Sequence, residues 1–194
     1  MITLGEGTGP VLDLGGRHGE LEAPVAARGY TYVNLDFNRP PKGVQGDAHR
    51  LPFPDGTFTM VLSVDTLEHF SAPWTVLDEV RRVLVPGGRL VVSVPWMHPF
   101  HGDDLWRYSP LGLRRLLENA GLTVESFEGR DGLFTAVAAT AGSKLPRLGP
   151  RLVSVGRRID RLAGRFGGDG EAAAHAFHVV AAKPTAPAGR STPP

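Results

Sequence analysis

The feature that most constrains this chain is a repeated alternation of short apolar runs with helix-sized segments, the first run ending on paired glycines. Val11-Leu12-Asp13-Leu14 is too short for a helix and too apolar for a surface loop, and it runs straight into Gly15-Gly16. That pattern is a buried strand feeding a tight turn. Thr31-Tyr32-Val33-Asn34-Leu35 is β-branched and aromatic, closes on Asp36, and reads as a second strand. The alanine-rich stretch from Glu20 to Arg28 between them fits a helix. A strand, helix, strand unit of this length needs a crossover, so the two strands are parallel.

The alternation continues along the chain. Val44-Gln45-Gly46 is a brief third strand and Phe58 to Val64 a fourth. Pro73 opens a helix with Val76, Leu77, Val80, Val83 and Leu84 at three-to-four spacing, which Pro86-Gly87-Gly88 should stop. Arg89 to Val94 is a fifth, buried strand. Pro110 starts a further helix that Gly121 closes, Leu122 to Phe127 is a sixth strand, and Ala176 to Ala182 the last. This order predicts a doubly wound, Rossmann-like α/β sheet with helices on both faces. At 194 residues there is room for one core. We expect a single domain over 1–183, a helical insertion over about 133–168, and a disordered tail over 184–194.

Several classes of function fall away on composition. No cysteine is present, which removes disulfides, thiolate metal sites and a cysteine nucleophile. A net charge of +1 gives no global pull toward nucleic acid, and no specific nucleic-acid partner is expected. Met1 leads into a glycine-rich stretch with no apolar leader, and no apolar run reaches transmembrane length. The expectation is a cytoplasmic protein. Positive charge is nonetheless concentrated at Lys144, Arg147, Arg151, Arg157, Arg158, Arg161 and Arg165, against the single acid Asp160. There Leu152, Val155, Ile159, Leu162 and Phe166 recur three or four apart. They predict an amphipathic helix packed on the sheet with its arginines solvated. Alternatives for the 151–165 helix are a cover over a substrate pocket, a homodimer contact, or a contact with anionic lipid.

The first loop reads Asp13-Leu14-Gly15-Gly16-Arg17-His18-Gly19. A dinucleotide fingerprint starting at Gly15 would need glycine at Arg17 and Glu20, so that pattern fails twice. An acid followed by glycines at every second position is met by Asp13, Gly15 and Gly19 and missed only at Arg17. Asp36 follows about twenty residues on, where a carboxylate can accept from two ribose hydroxyls. Beyond it come Gly46-Asp47-Ala48-His49-Arg50-Leu51-Pro52-Phe53-Pro54-Asp55-Gly56-Thr57-Phe58, then Ser63-Val64-Asp65-Thr66-Leu67-Glu68-His69, then Arg82-Val83-Leu84-Val85-Pro86-Gly87-Gly88-Arg89-Leu90.

In their order and spacing these blocks resemble the class I S-adenosylmethionine-dependent methyltransferases, particularly the type 11 subgroup, from about Val11 to Leu122. The resemblance implies seven strands with the last antiparallel, and S-adenosyl-L-methionine as cofactor. It implies that Asp13, Gly15, Gly16 and Gly19 frame the methionine end and Asp36 holds the ribose. Asp47 and Ala48 would border the adenine, and Ser63 to Asp65 would lie beside the transferable methyl. Arg17 departs from the family. It either swings outward, pairs with the cofactor carboxylate, or fills the pocket.

Two further segments carry chemistry. Asp65, Glu68 and His69 resemble the metal-holding segment of the O-methyltransferases of ubiquinone biosynthesis, although a structural role without metal is the preferred reading. Pro95 to Pro110 resembles the His-x-x-Asp-x-x-Arg-aromatic-Ser/Thr segment of many type 11 members. There His101 or His98 would be a general base for the acceptor, with Asp104 and Arg107 orienting it or the substrate. The alternative is that Trp106, Arg107 and Tyr108 only anchor the loop. The expected function is methyl transfer to a small-molecule acceptor, oxygen before nitrogen or carbon. The competing expectation is a catalytically degenerate member of the fold that binds or regulates.

Overall fold

The computed structural model describes residues 5–98, 102–144, 147–163 and 174–185. Seven strands form one sheet: β1 (Gly9–Leu14), β2 (Tyr30–Asp36), β3 (Val44–Gln45), β4 (Phe58–Val64), β5 (Leu84–Pro95), β6 (Thr123–Arg130) and β7 (Ala176–Ala182). Their order is β3-β2-β1-β4-β5-β7-β6. The first five are parallel, and β7 runs antiparallel to both β5 and β6. The helices are α1 (Glu22–Ala26), α2 (Pro73–Val83), α3 (Pro110–Asn119), α4 (Leu133–Lys144) and α5 (Gly149–Ala163).

Alternation along the strands builds two apolar layers. Leu12, Leu14, Val61, Leu90 and Val92 join Val76, Leu77, Val80 and Val83 of α2 and Leu113 and Leu117 of α3. The neighbouring strand positions Val11, Met60, Leu62 and Val91 face the other way, onto Val25 of α1. Strand order reverses between β1 and β4, so a crevice opens beyond their carboxyl ends, where ligands of such sheets bind.

The structure departs from the sequence reading in three places. The helix begun at Pro73 ends at Val83, and Leu84 already pairs with Phe58. Pro86-Gly87-Gly88 is therefore a bulge inside β5, with Gly87 at φ +77 and its amide bonded to the Lys183 carbonyl. Second, α4 is a separate helix whose alanines and small residues blur any apolar period. Third, α5 packs on α4, with Gly156 against the Phe134 and Thr135 backbone, and its apolar stripe is not on the sheet. Val155, Ile159 and Leu162 are exposed. Phe166 lies outside the described residues. No helix among the described residues is long and apolar enough to cross a membrane.

Candidate functional site

Two pockets lie at the carboxyl end of the sheet and share one residue, Asp65. The larger, about 1180 Å³, is walled by the glycine loop after β1, the Asp36-Phe37-Asn38 turn after β2, Asp47 and Ala48 after β3, and the segment after β4. The smaller, about 500 Å³, is lined by His98, Arg130, Asp131, Arg157, His175 and His178 among others.

The glycine loop has no spare room. A Cβ on Gly16 would fall on the Asp13 carboxylate and the Asn34 side-chain oxygen, and one on Gly15, at φ +71, on Thr66. Arg17 sits at φ +44, so it keeps the left-handed backbone that a glycine would supply there. Its amide donates to Asp36 Oδ2 at 3.1 Å, its carbonyl accepts from Asn34 Nδ2 at 3.2 Å, and its side chain is exposed on the cleft wall. The cleft keeps its volume with the arginine in place. Gly19, at φ +80, turns the chain into α1 and does not line the cleft.

Asp13 ends buried beneath this loop and accepts from the Tyr32 hydroxyl at 2.5 Å. Burial drives its carboxyl up to about 6, the Tyr32 hydrogen bond working against that and Glu20 and Asp36 adding to it. Asp36 is also buried, and its second oxygen accepts from the Asn38 amide at 2.8 Å. Phe37 beside it is 74% exposed and lines the same cleft. Nothing in the local sequence pattern marks Phe37; only its exposure does. Asp47 caps a short helical turn by accepting from the His49 amide and ring, and these bonds hold its carboxyl below the ordinary range. The loop after that turn is held on α2 by Arg82, which donates to Glu79, Asp55 and the carbonyls of Leu51 and Phe53.

Past β4 the sequence reading needs adjustment. Ser63 is buried between β1 and β5 and does not reach the cleft, because alternation turns its side chain into the sheet layer. Val64 and Asp65 line the cleft instead. Asp65 has φ +48, uncommon for a residue with a Cβ, and its Oδ1 accepts from Ser93 Oγ at 3.0 Å.

Among the described residues, the one group able to gather three metal-ligand atoms is Glu68, His69 and Asp104, and Asp65 is not in it. Asp104 accepts from Arg107 at 2.6 Å and stands 3.5 Å from His69. The Glu68 carbonyl accepts from the Leu105 and Trp106 amides, Tyr108 donates to the Leu67 carbonyl, and Trp106 to that of Phe70. Together these contacts clasp the 102–108 loop onto the turn after β4. Asp104 thus faces both Arg107 and His69, and neither Asp104 nor Arg107 lines the smaller pocket.

His98 does line it, and its ring meets His175 at 4.6 Å between centroids. His101 lies outside the described residues. The sequence reading missed Arg130, Asp131, Arg157, His175 and His178. The signal available was His175 just before the last apolar strand and His178 within it, but only the antiparallel return of β7 beside β5 brings them to the site. His175 Nε2 is buried with no hydrogen-bond partner among the described residues. Burial, and then the adjacent His98, hold its imidazole below the ordinary histidine range.

The reversal of strand order, the crowded glycine loop and the acid at the end of β2 define a doubly wound α/β protein of the kind that holds a nucleotide-type cofactor. Comparison with known proteins narrows that class. Residues 12–92 match the family model described as a methyltransferase domain. An uncharacterized methyltransferase of Mycolicibacterium vanbaalenii is 29% identical over 168 residues, covering 73% of this chain and 66% of that protein. The chain thus spans just under two thirds of that relative's length. A 1,6-didemethyltoxoflavin-N1-methyltransferase from Burkholderia thailandensis, solved with S-adenosylhomocysteine, is similar in fold: TM-score 0.61, 18% identity, covering 90% of this chain and 71% of that one. A cyclase has the same fold at TM-score 0.62 and 20% identity, covering 93% and 76%. Residues 12–92 thus carry a methyltransferase-domain sequence, and the chain has the Rossmann-like fold of the class I methyltransferases.

Proposed function

We propose that this chain transfers the methyl group of S-adenosylmethionine to a hydroxyl of a small-molecule acceptor. The observation that carries the reading is the junction of two pockets at Asp65, a left-handed residue fixed by Ser93. The residues of the larger cleft suit the cofactor. Asp36 is held by two backbone amides and keeps lone pairs for ribose hydroxyls, and exposed Phe37 offers a face to the adenine. Asp13, Gly15, Gly16 and Arg17 wall the end toward the methionine portion, and Asp47 and Ala48 the end toward the base. When bound, the cofactor supplies a sulfonium methyl that needs little beyond in-line placement of an acceptor.

The acceptor occupies the smaller pocket. His175, whose imidazole burial holds below the ordinary histidine range, takes the hydroxyl proton on its ring, and His98 packs against it from the side. A cyclase on this fold is a reminder that chemistry resides in the site and not in the sheet.

The test is incubation of the full chain with methyl-deuterated S-adenosylmethionine and a panel of phenols, sugars and hydroxylated lipids, followed by mass spectrometry. Labelled O-methyl product is expected, with kcat of His175→Ala reduced about 100-fold or more. Wild-type kcat should keep its plateau down to a pH below 6.5, the ordinary histidine value. Labelled product on nitrogen alone, or unchanged turnover in His175→Ala, would overturn the acceptor assignment.

A further inference from the structure

The hairpin of α4 and α5 leaves an apolar face with no partner among the described residues. Its exposed members are Leu133, Phe134 and Val137 on α4 and Val155, Ile159 and Leu162 on α5, ranging from 38% exposed at Ile159 to 60% at Val137. For a monomeric surface that is a dense set of large apolar side chains. The contacts between the helices use other positions. Gly156 lies against the Phe134 and Thr135 backbone, and Asp160 accepts from the Gly132, Phe134 and Thr135 amides and the Thr135 hydroxyl. The stripe at 155, 159 and 162 therefore serves neither the hairpin nor the sheet.

Charge on the helix has one sign where it is free. Asp160 is the sole acid of α5 and is turned to the start of α4. Arg157 is engaged with Asp131 at 3.1 Å. Arg151, Arg158 and Arg161 are exposed and pair with no acid among the described residues; Arg161 donates only to the Arg157 carbonyl. At helical spacing Arg151 and Arg158 fall on the edge of the apolar stripe, on the side away from α4. An apolar ridge with arginines along its border matches the two layers of a membrane interface: acyl chains for the ridge, phosphates for the guanidinium groups.

We propose that the α4–α5 face docks this protein on an anionic lipid bilayer. Neither helix is long and apolar enough to span the bilayer, so the contact is interfacial.

Vesicle sedimentation with the full chain tests the docking. Vesicles of phosphatidylcholine alone are compared with vesicles containing phosphatidylglycerol, at low and at physiological salt. Binding only to the phosphatidylglycerol vesicles is expected, weakening as salt rises. Each arginine near an anionic surface contributes about 1 kcal/mol, so replacing Arg151, Arg158 and Arg161 together by glutamine should weaken partitioning on the order of 100-fold. Ile159→Asp, a substitution at a solvent-exposed position, should weaken it too while leaving the thermal midpoint unchanged. Three results would overturn the proposal: no sedimentation with anionic vesicles, equal binding by wild type and the triple variant, or a stable dimer in analytical ultracentrifugation that Ile159→Asp dissolves. Titration with S-adenosylhomocysteine in the absence of lipid reports separately on the cofactor cleft, so failure of docking and failure of the methyl-transfer reading are told apart.

Discussion

Replacing Arg17 by glycine isolates the position where the glycine loop leaves the methyltransferase pattern. Arg17 stands at φ +44, and holding a residue with a Cβ in that region costs roughly 1–2 kcal/mol. Glycine removes that cost but adds unfolded-state freedom worth roughly 0.5–1 kcal/mol. The balance favours Arg17→Gly by about 0.5–1 kcal/mol, which in a domain of this size raises the thermal midpoint by about 1–4 °C. The amide that Arg17 gives to Asp36 survives in glycine, so the carboxylate proposed to take the ribose stays in place. The side chain is exposed. Affinity for S-adenosylhomocysteine should therefore change by no more than about twofold, roughly 0.4 kcal/mol. Arg17→Val is the control in the opposite sense, since a β-branched residue tolerates this backbone poorly and should lower the midpoint by a few degrees. Calorimetric scanning and titration read both quantities. A less stable Arg17→Gly would refute the strain argument. A tenfold loss of affinity would show instead that the guanidinium pairs with the cofactor carboxylate, and a tenfold gain that it obstructs the cleft.

Three other perturbations follow from the same geometry. Phe37→Ala should weaken S-adenosylhomocysteine binding about tenfold through loss of the aromatic face, with little change in stability because the ring is exposed, as titration and a thermal scan will show. For Asp13 the folded value, about 6, lies above the ordinary 3.8, so the folded state holds the proton more tightly. Its contribution is favourable below about pH 4 and is lost as pH rises through 6. At neutral pH the ionised group costs on the order of 3 kcal/mol, and the stability difference between wild type and Asp13→Asn, measured in urea, should grow over that window. A flat difference would mean that Tyr32 offsets burial completely. Burial pushes Asp160 up, but the hydrogen bonds from Thr135, Gly132 and Phe134 outweigh it and keep the carboxyl below its ordinary range. Asp160→Ala strips the start of α4 of its acceptor and should cost about 2 kcal/mol, with amide exchange rising across α4 more than in the sheet.

The strands were legible because each is a compact apolar run bounded by glycine, proline or an acid. The boundaries that shifted lie where one residue type serves two roles. Pro86-Gly87-Gly88 reads as a helix stop, and here it is the bulge by which β5 begins early beside Phe58. The walls of the larger cleft were readable for a similar reason: Asp13, Asp36 and Asp47 each lie within two residues of a strand's carboxyl end, so position along the chain gives position in the cleft. The walls of the smaller pocket were not. His175 and Arg130 stand 45 positions apart and meet only because β6 and β7 pair antiparallel, with the His175 amide bonded to the Arg130 carbonyl. No local period encodes that meeting. The stripe on α5 is apolar as its spacing predicts, but it is exposed and not packed on the sheet, since periodicity says that a face is apolar but not what covers it.

Calorimetric titration of the full chain with S-adenosylmethionine, and with S-adenosylhomocysteine, tests the central claim most directly. One-to-one binding of both ligands, abolished or greatly weakened when Gly16→Ala puts a methyl against Asp13 and Asn34 in a chain that still folds, is the predicted result. No heat and no thermal stabilisation with either ligand, from a protein with native secondary structure, would contradict it.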